Sequence, residues 1–222
     1  MSIRGSLWIL LGSLVVLQFG YPITNYGTWW TVAYLLVYSG VIMFGVREVA
    51  VHPRAKWPIA PVVIFLIFAA VWFALHQDDS EATVILLAAI GLFQLVLLIV
   101  LVRRLMQPSH HSRTVDLVLI AVSAYLLLGG VFGVISSQIE FAYPGSFIDN
   151  TNGGGSVTWQ ALFYDSYVTI STLGYGDIVP VTDWARSFAS LEAVLGTLFI
   201  AIVIARLVGV GSTRWRMNTE PE

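Results

Sequence analysis

The residues best suited to chemistry form one short segment, residues 169–177, with the sequence Thr-Ile-Ser-Thr-Leu-Gly-Tyr-Gly-Asp. Glycine tolerates backbone angles that other residues avoid, so the two glycines allow the chain to turn successive carbonyl oxygens toward one axis. Four copies around an axis would stack rings of oxygens that replace the hydration shell of a bare cation. The segment therefore predicts a cation site built from backbone atoms.

The composition indicates a membrane protein. The chain has 222 residues, of which 57% are hydrophobic and 11% are charged, whereas soluble domains carry about 25% charged residues. The formal net charge is −2, so no basic field favours nucleic acid as a partner. The chain has no cysteine, which excludes a disulfide framework and a thiolate metal site.

Long apolar stretches predict an all-α membrane protein with six transmembrane helices. An α-helix rises about 1.5 Å per residue, so about 20 apolar residues cross a hydrocarbon core of about 30 Å. The stretches that qualify lie near residues 5–21, 28–46, 57–75, 82–102, 117–139 and 187–205.

The loop charges predict the orientation of these spans. If the chain crosses six times, nearly all basic residues of the loops fall on one side, which the positive-inside rule makes cytoplasmic. We therefore expect a multi-pass protein of the cell (plasma) membrane, in contact with lipid, with both termini cytoplasmic and residues 175–177 toward the outside. The residues on the cytoplasmic side are Arg4, Arg47, Arg54, Lys56, Arg103, Arg104, Arg113, Arg206, Arg214 and Arg216.

The region from about residue 114 to 206 has a specific order of elements. A full span is followed by a Gly-, Asn- and Ser-rich loop, a half-length helix over residues 159–171, the motif Thr-Leu-Gly-Tyr-Gly-Asp at 172–177, and a second full span. This order and motif closely resemble the pore domain of a potassium channel, whose filter reads Thr-Val-Gly-Tyr-Gly. The resemblance implies a re-entrant pore helix and a selectivity filter between helices five and six. One chain carries one such motif and four are needed to surround an ion, so the resemblance implies a homotetramer around the pore, or a heterotetramer with a related subunit.

The resemblance also implies roles for the residues of the motif. Gly176 and Asp177 would form the outer mouth of the filter, and the Tyr175 side chain would brace it against neighbouring pore helices. The Thr172 hydroxyl would complete the innermost ion site. K+ ions are the bound species that the resemblance implies, without an organic cofactor. The residues whose backbone carbonyls would coordinate K+ are Thr172, Leu173, Gly174 and Tyr175.

Span six contains the candidates for gating. Gly196 is either a hinge for the inner helix, as in related pores, or a site of close helix packing. Glu192 is an acid inside a span, which makes it a functional candidate; it either buttresses the pore helix near Ser166 or Thr169, or it senses protons during gating. Helical spacing selects the candidates for the cavity lining and constriction, which are Thr197, Ile200 and Ile204.

Six spans with the pore last resemble the voltage-gated-like superfamily, but residues 82–102 carry none of the arginines of a voltage sensor. We expect a four-helix domain without gating charges over 1–104, a cytoplasmic connector over 105–116, a pore domain over 117–210 and a short tail over 211–222. We therefore expect a voltage-independent channel without a cytoplasmic ligand-gating domain. His110 and His111 in the connector either titrate and shift a gate or belong to a solvated linker.

The predicted function is passive, potassium-selective conduction across the membrane. Two alternatives remain open, a weakly selective cation channel and a non-conducting membrane subunit that modulates partners. An enzyme is not expected, because the sequence lacks paired carboxylates on a helix, a Ser/His/Asp arrangement and a zinc-binding constellation.

Overall fold

A computed structural model of the chain describes residues 3–20, 22, 59–76, 79–107, 114–153, 155 and 157–219. The predicted span near residues 28–46 and the histidines His110 and His111 lie outside the described residues. The described elements are α1 (Ile3–Phe19), α2 (Ile59–Leu75), α3 (Ser80–Met106), α4 (Thr114–Ala142), β1 (Phe147–Asp149), a 3₁₀ turn (Asn150–Asn152), α5 (Trp159–Ile170), β2 (Ile178–Pro180) and α6 (Asp183–Thr219).

The described part of the chain is mainly helical, which confirms the predicted all-α class. Three helices are long and apolar enough to cross a membrane, namely α3, α4 and the part of α6 over Asp183–Gly209. Two shorter apolar helical segments, Gly5–Phe19 and Pro61–Phe73, lie in α1 and α2. Each predicted span within the described residues therefore coincides with a helix.

Helix α4 lies at the centre of the subunit. It packs against α1, α3, α5 and α6, while α2 packs against α3. The shared core consists largely of leucine side chains, and Leu10 of α1, Leu101 of α3 and Leu127 of α4 are fully buried in it. Helix α3 thus packs against the α4 helix of its own chain.

A short antiparallel pair of strands joins the loop after α4 to the chain before α6. Phe147 pairs with Pro180 and Asp149 pairs with Ile178. The Glu140 carboxylate accepts backbone hydrogen bonds from Gly145 (2.8 Å) and Phe147 (3.0 Å), which anchors the first strand to the end of α4. The Gly-, Asn- and Ser-rich loop after α4 therefore contains ordered backbone pairing.

Candidate functional site

The half-length helix α5 leads directly into the predicted filter. The Thr158 hydroxyl caps its start by accepting a hydrogen bond from the backbone N–H of Ala161 (3.3 Å). Its 12 residues make it about 18 Å long, which is too short to cross a bilayer. At the end of α5 the N–H of Leu173 donates to the Val168 carbonyl (3.0 Å), which ends the helix in a turn.

Two tyrosines fix α5 to α4. The Tyr125 hydroxyl of α4 donates to the carbonyl of Ile170 (3.0 Å), the last residue of α5. In the other direction, the Tyr167 hydroxyl of α5 donates to the Leu126 carbonyl (2.7 Å). A carbonyl at a helix end has no partner within its helix, so Tyr125 supplies a donor where the filter begins.

Small residues on α4 allow α5 to approach closely. A Cβ atom at Gly129 would lie 2.5 Å from a Tyr167 ring carbon, and a Cβ atom at Gly133 would lie 3.0 Å from a Phe163 ring carbon. Glycines at membrane-helix contacts permit such close packing. The two glycines therefore set the distance between α4 and the helix that carries the filter.

The filter segment has an alternating backbone. Thr172, Gly174 and Gly176 have positive φ angles of 60°, 57° and 76°, whereas Leu173 and Tyr175 do not. Alternation between right- and left-handed conformations brings successive N–H groups to one side of a chain, which leaves the carbonyls on the other. The segment can therefore present a row of carbonyl oxygens to a cation.

Thr172 is strained. Among the described residues it is the one non-glycine residue with a positive φ angle, a conformation that a β-branched side chain rarely adopts. Strain of this kind clusters at functional sites, where the surrounding structure maintains it. The positive φ angle of Thr172 therefore makes the first residue of the motif a candidate functional residue.

The carbonyls of the motif divide into two groups. At the outer end, the Asn150 side-chain amide donates to the Gly176 carbonyl (3.0 Å) and the Asn150 N–H donates to the Asp177 carbonyl (2.8 Å). No donor in the described part of the chain bonds the four preceding carbonyls, which remain available to a ligand. They belong to Thr172, Leu173, Gly174 and Tyr175.

The polar side chains near the C-terminal end of the filter segment differ in their exposure to solvent. Tyr175 is 66% exposed in the single subunit. Asp165 on α5 is buried; this burial, together with the nearby Asp177 carboxylate, raises the pKa of Asp165 to about 7. The Oδ1 atom of Asp177 is buried without a hydrogen-bond partner among the described residues.

Glu192 and Gly196 both lie against α5. Glu192 is buried and forms a hydrogen bond with the Ser166 hydroxyl, one of the two partners expected for a buttress. A Cβ atom at Gly196 would lie 2.6 Å from the Ile170 carbonyl oxygen. The structure thus has close packing at Gly196, and its use as a hinge stays a prediction.

The other gating candidates lie on the exposed side of α6. Ile200 and Ile204 are 45% and 57% exposed, and Thr197 is also exposed, with its hydroxyl bonded to the Ala193 carbonyl (3.0 Å). Their use in a cavity lining or constriction stays a prediction. Sequence reasoning did not identify Asn150, Tyr125 or Tyr167, whose partners lie far away in the sequence.

Side chains do not supply a metal site in the described part of the chain, since no group of three or more His, Cys, Asp or Glu residues could hold a metal ion there. The oxygens of the filter segment are instead backbone carbonyls, which suit hard cations such as K+.

Comparisons with known proteins find similarity in the region that contains the filter segment. Residues 117–212 match the protein family described as "Ion channel". The inward rectifier potassium channel Kirbac3.1 of Paramagnetospirillum magnetotacticum is 35% identical over 91 residues, which cover 41% of this chain and 24% of that protein. Two-pore potassium channel 4 of Arabidopsis thaliana is 29% identical over 102 residues, which cover 46% of this chain and 34% of that protein.

The similarity is thus partial, because the chain spans about a quarter and about a third of the lengths of these two relatives. No solved structure matches the chain. The family match begins within α4 and ends within α6, so it covers the filter segment and both helices that flank it.

Proposed function

We propose that this chain is the subunit of a potassium-selective ion channel that conducts K+ passively through a homotetrameric pore. The observation that carries the proposal is the segment Thr172 to Tyr175, whose φ angles alternate in sign and whose four carbonyls accept no hydrogen bond from the described residues. Such carbonyls replace the hydration shell of K+. The Thr172 hydroxyl would complete the innermost site.

The need for several copies follows from the site itself. One chain presents one row of carbonyls, which cannot surround an ion. Tyr175 and Leu173, with 66% and 59% of their surfaces exposed, alternate with the positive-φ residues and are free to pack against a neighbouring copy. Four copies around an axis would bury these side chains and close the ring of oxygens. Gly176 and Asp177 would then form the outer mouth.

The membrane arrangement follows from α5. A helix too short to cross, followed by a chain that turns back, is tolerated at membrane depth only where protein buries it or water lines it. A re-entrant pore helix between two full spans, α4 and α6, satisfies this condition. We place both termini on the cytoplasmic side of the plasma membrane, because the loop arginines and lysine fall there when the chain crosses six times.

The outer helices are proposed to lack a conventional voltage sensor. Moving one elementary charge through 100 mV supplies about 2.3 kcal/mol, yet residues 82–102 of α3 carry no charge. Arg103 and Arg104 lie in the last turn of α3, where they suit lipid headgroups better than a moving sensor. We therefore expect conduction with little dependence on voltage.

The experiment that tests the proposal is ion flux from purified protein in liposomes. Potassium and sodium gradients are compared, and barium is added as a blocker. Barium-sensitive flux that strongly prefers K+ would support a selective pore, whereas equal flux of both ions would indicate a weakly selective cation channel. A lack of flux in any gradient would favour a non-conducting subunit.

The oligomeric state requires its own measurement. Native mass spectrometry of the protein in detergent is expected to give a mass of four chains with bound lipid. A dimer or monomer that still conducts would contradict the homotetramer.

A further inference from the structure

A single buried hydroxyl connects the three helices around the proposed pore. The Ser166 Oγ atom of α5 lies 2.7 Å from the carbonyl oxygen of Gly129 on α4. The same atom is in hydrogen-bond contact with Oε1 of Glu192 on α6. Ser166 and Glu192 are only 1% and 2% exposed, so water does not compete for these contacts.

The number of protons shared by Gly129, Ser166 and Glu192 indicates whether Glu192 is ionised or protonated. A serine hydroxyl carries one proton, while a backbone carbonyl and an ionised carboxylate can only accept. If Glu192 were ionised, the two acceptors would share the one proton of Ser166, and one close oxygen pair would have no hydrogen between its atoms. Both contacts are hydrogen bonds only if Glu192 donates to Ser166 while Ser166 donates to Gly129.

The surroundings of Glu192 supply no opposite charge. The titratable groups that face it are Tyr125 from α4 and Asp165 from α5, and neither is a cation. Among the residues that the structure describes, no arginine, lysine or histidine forms an ion pair with Glu192. An ionised carboxylate buried in a membrane protein without a cation is costly, so the neutral acid is consistent with both the charges and the proton count.

The position of Glu192 makes this hydrogen bond relevant to the filter. Glu192 lies one helical turn before Gly196, and Gly196 approaches the carbonyl of Ile170 at the end of α5. The same stretch of α6 therefore contacts α5 at its middle, through Ser166, and at the residue that precedes the filter turn. A change at Glu192 would shift α6 relative to the start of the filter.

We infer that Glu192 is a positioning residue that remains a neutral acid and donates a hydrogen bond to Ser166, thereby fixing the pore helix between α4 and α6. The role in filter geometry rests on the proposed function, but the protonation of Glu192 does not. A neutral hydrogen-bond donor, rather than a charge, is what this position requires, so it does not act as a proton sensor.

The test compares Glu192→Gln with Glu192→Ala and Ser166→Ala in the full chain. Glutamine is neutral, has nearly the same shape and can donate through its amide, so Glu192→Gln should keep tetramer stability and K+/Na+ selectivity. Glu192→Ala and Ser166→Ala should each raise the equilibrium constant of unfolding by roughly tenfold, because each leaves a buried polar group without its partner. The double alanine variant should lose no more than either single variant.

A matched control is the Glu→Gln substitution at a carboxylate that only accepts hydrogen bonds. Glu140 receives two backbone hydrogen bonds, and Glu140→Gln removes one of the accepting oxygens. Glu140→Gln should therefore lower thermal stability while Glu192→Gln does not.

Infrared spectroscopy gives a readout that needs no conduction. The difference spectrum between the unmodified protein and Glu192→Gln should contain the C=O stretch of a protonated carboxyl group, and Ser166→Ala should shift that band. The band together with an absence of flux would overturn the proposed function but support this inference. Absence of the band, or a Glu192→Gln variant as damaged as Glu192→Ala, would overturn the inference.

Discussion

The guanidinium group of Arg206, on α6, donates a hydrogen bond of 2.8 Å to the backbone carbonyl of Met106, the last residue of α3. Its Nε–H also points at the Leu105 carbonyl (3.5 Å). The last carbonyls of a helix have no partner within the helix, and a cation there interacts favourably with the helix dipole. Arg206 therefore caps α3 from a position 100 residues away in the sequence.

Removing this cap is expected to destabilise the subunit. Arg206→Ala should lower the free energy of unfolding by about 1–3 kcal/mol, because the Met106 carbonyl loses a charged donor. The measurement is thermal unfolding in detergent. Arg214→Ala removes an equal charge from the same helix and serves as the control; equal losses in the two variants would show that charge alone, and not the cap, is responsible.

Gly196→Ala is expected to disturb the filter. The added methyl group would lie 2.6 Å from the Ile170 carbonyl oxygen, a backbone atom that cannot turn aside, so stability should fall by about 1–3 kcal/mol and K+/Na+ selectivity should decline in liposome flux. Gly209→Ala on the same helix meets no atom within 4 Å and should be tolerated. Unchanged selectivity in Gly196→Ala with an altered open probability would instead support a hinge.

Alanine variants at two glycines with positive φ angles can distinguish the effect of backbone strain from an effect on the filter. Gly176 (φ +76°) and Gly145 (φ +85°) both have open space around them, so alanine at either site should cost about 1–2 kcal/mol of conformational strain. Only Gly176→Ala should lower K+/Na+ selectivity, because Gly145 lies in the loop after α4. Equal loss of selectivity in the two variants would mean that general destabilisation is the cause.

The pH dependence of stability should depend on Asp165. Its pKa is raised from 3.8 to about 7 in the folded protein, so the folded state binds the proton more tightly than the unfolded state does. Stability should therefore fall as the pH rises from about 4 to about 7. Asp165→Asn should flatten the dependence of the melting temperature on pH across this range, and an unchanged slope would contradict the assignment.

The pairing of α3 with its own α4 can be tested by cross-linking, because the chain has no native cysteine. A Cβ atom at Gly91 would lie 3.1 Å from the Cβ atom of Val134, slightly closer than the usual separation of about 3.5–4.5 Å in a disulfide. Oxidised Gly91→Cys/Val134→Cys protein should migrate as a monomer on a denaturing gel, and each single variant is a control. Cross-linked dimers would indicate that α3 packs on a neighbouring subunit.

The sequence predicted the described helices well because their signals are local. Long apolar runs are visible without tertiary information, and the start of α5 at Trp159 was predicted to the residue. The strand Phe147–Asp149 was not predicted, since three residues in a loop rich in glycine and asparagine give no alternating pattern.

The contacts that sequence reasoning could not find are long-range. Asn150 holds two carbonyls at the outer end of the filter, and Arg206 caps a helix that ends 100 residues earlier. Neither residue belongs to a motif, and ordinary polar residues acquire such roles only through the fold. Glu192 differs from these two residues, because an acidic residue inside an apolar span is a functional candidate from the sequence alone.

Because α1, α3 and α4 pack together within one chain, we expect the proposed tetramer to form in two stages. The helical core of a subunit can form in a unimolecular reaction whose rate is independent of protein concentration, and only the closing of the ring requires encounters between copies. Shortened chains that keep α4 to α6 would then be expected to compete with full-length chains for places in the proposed tetramer, since α1 and α3 pack on α4 of their own chain.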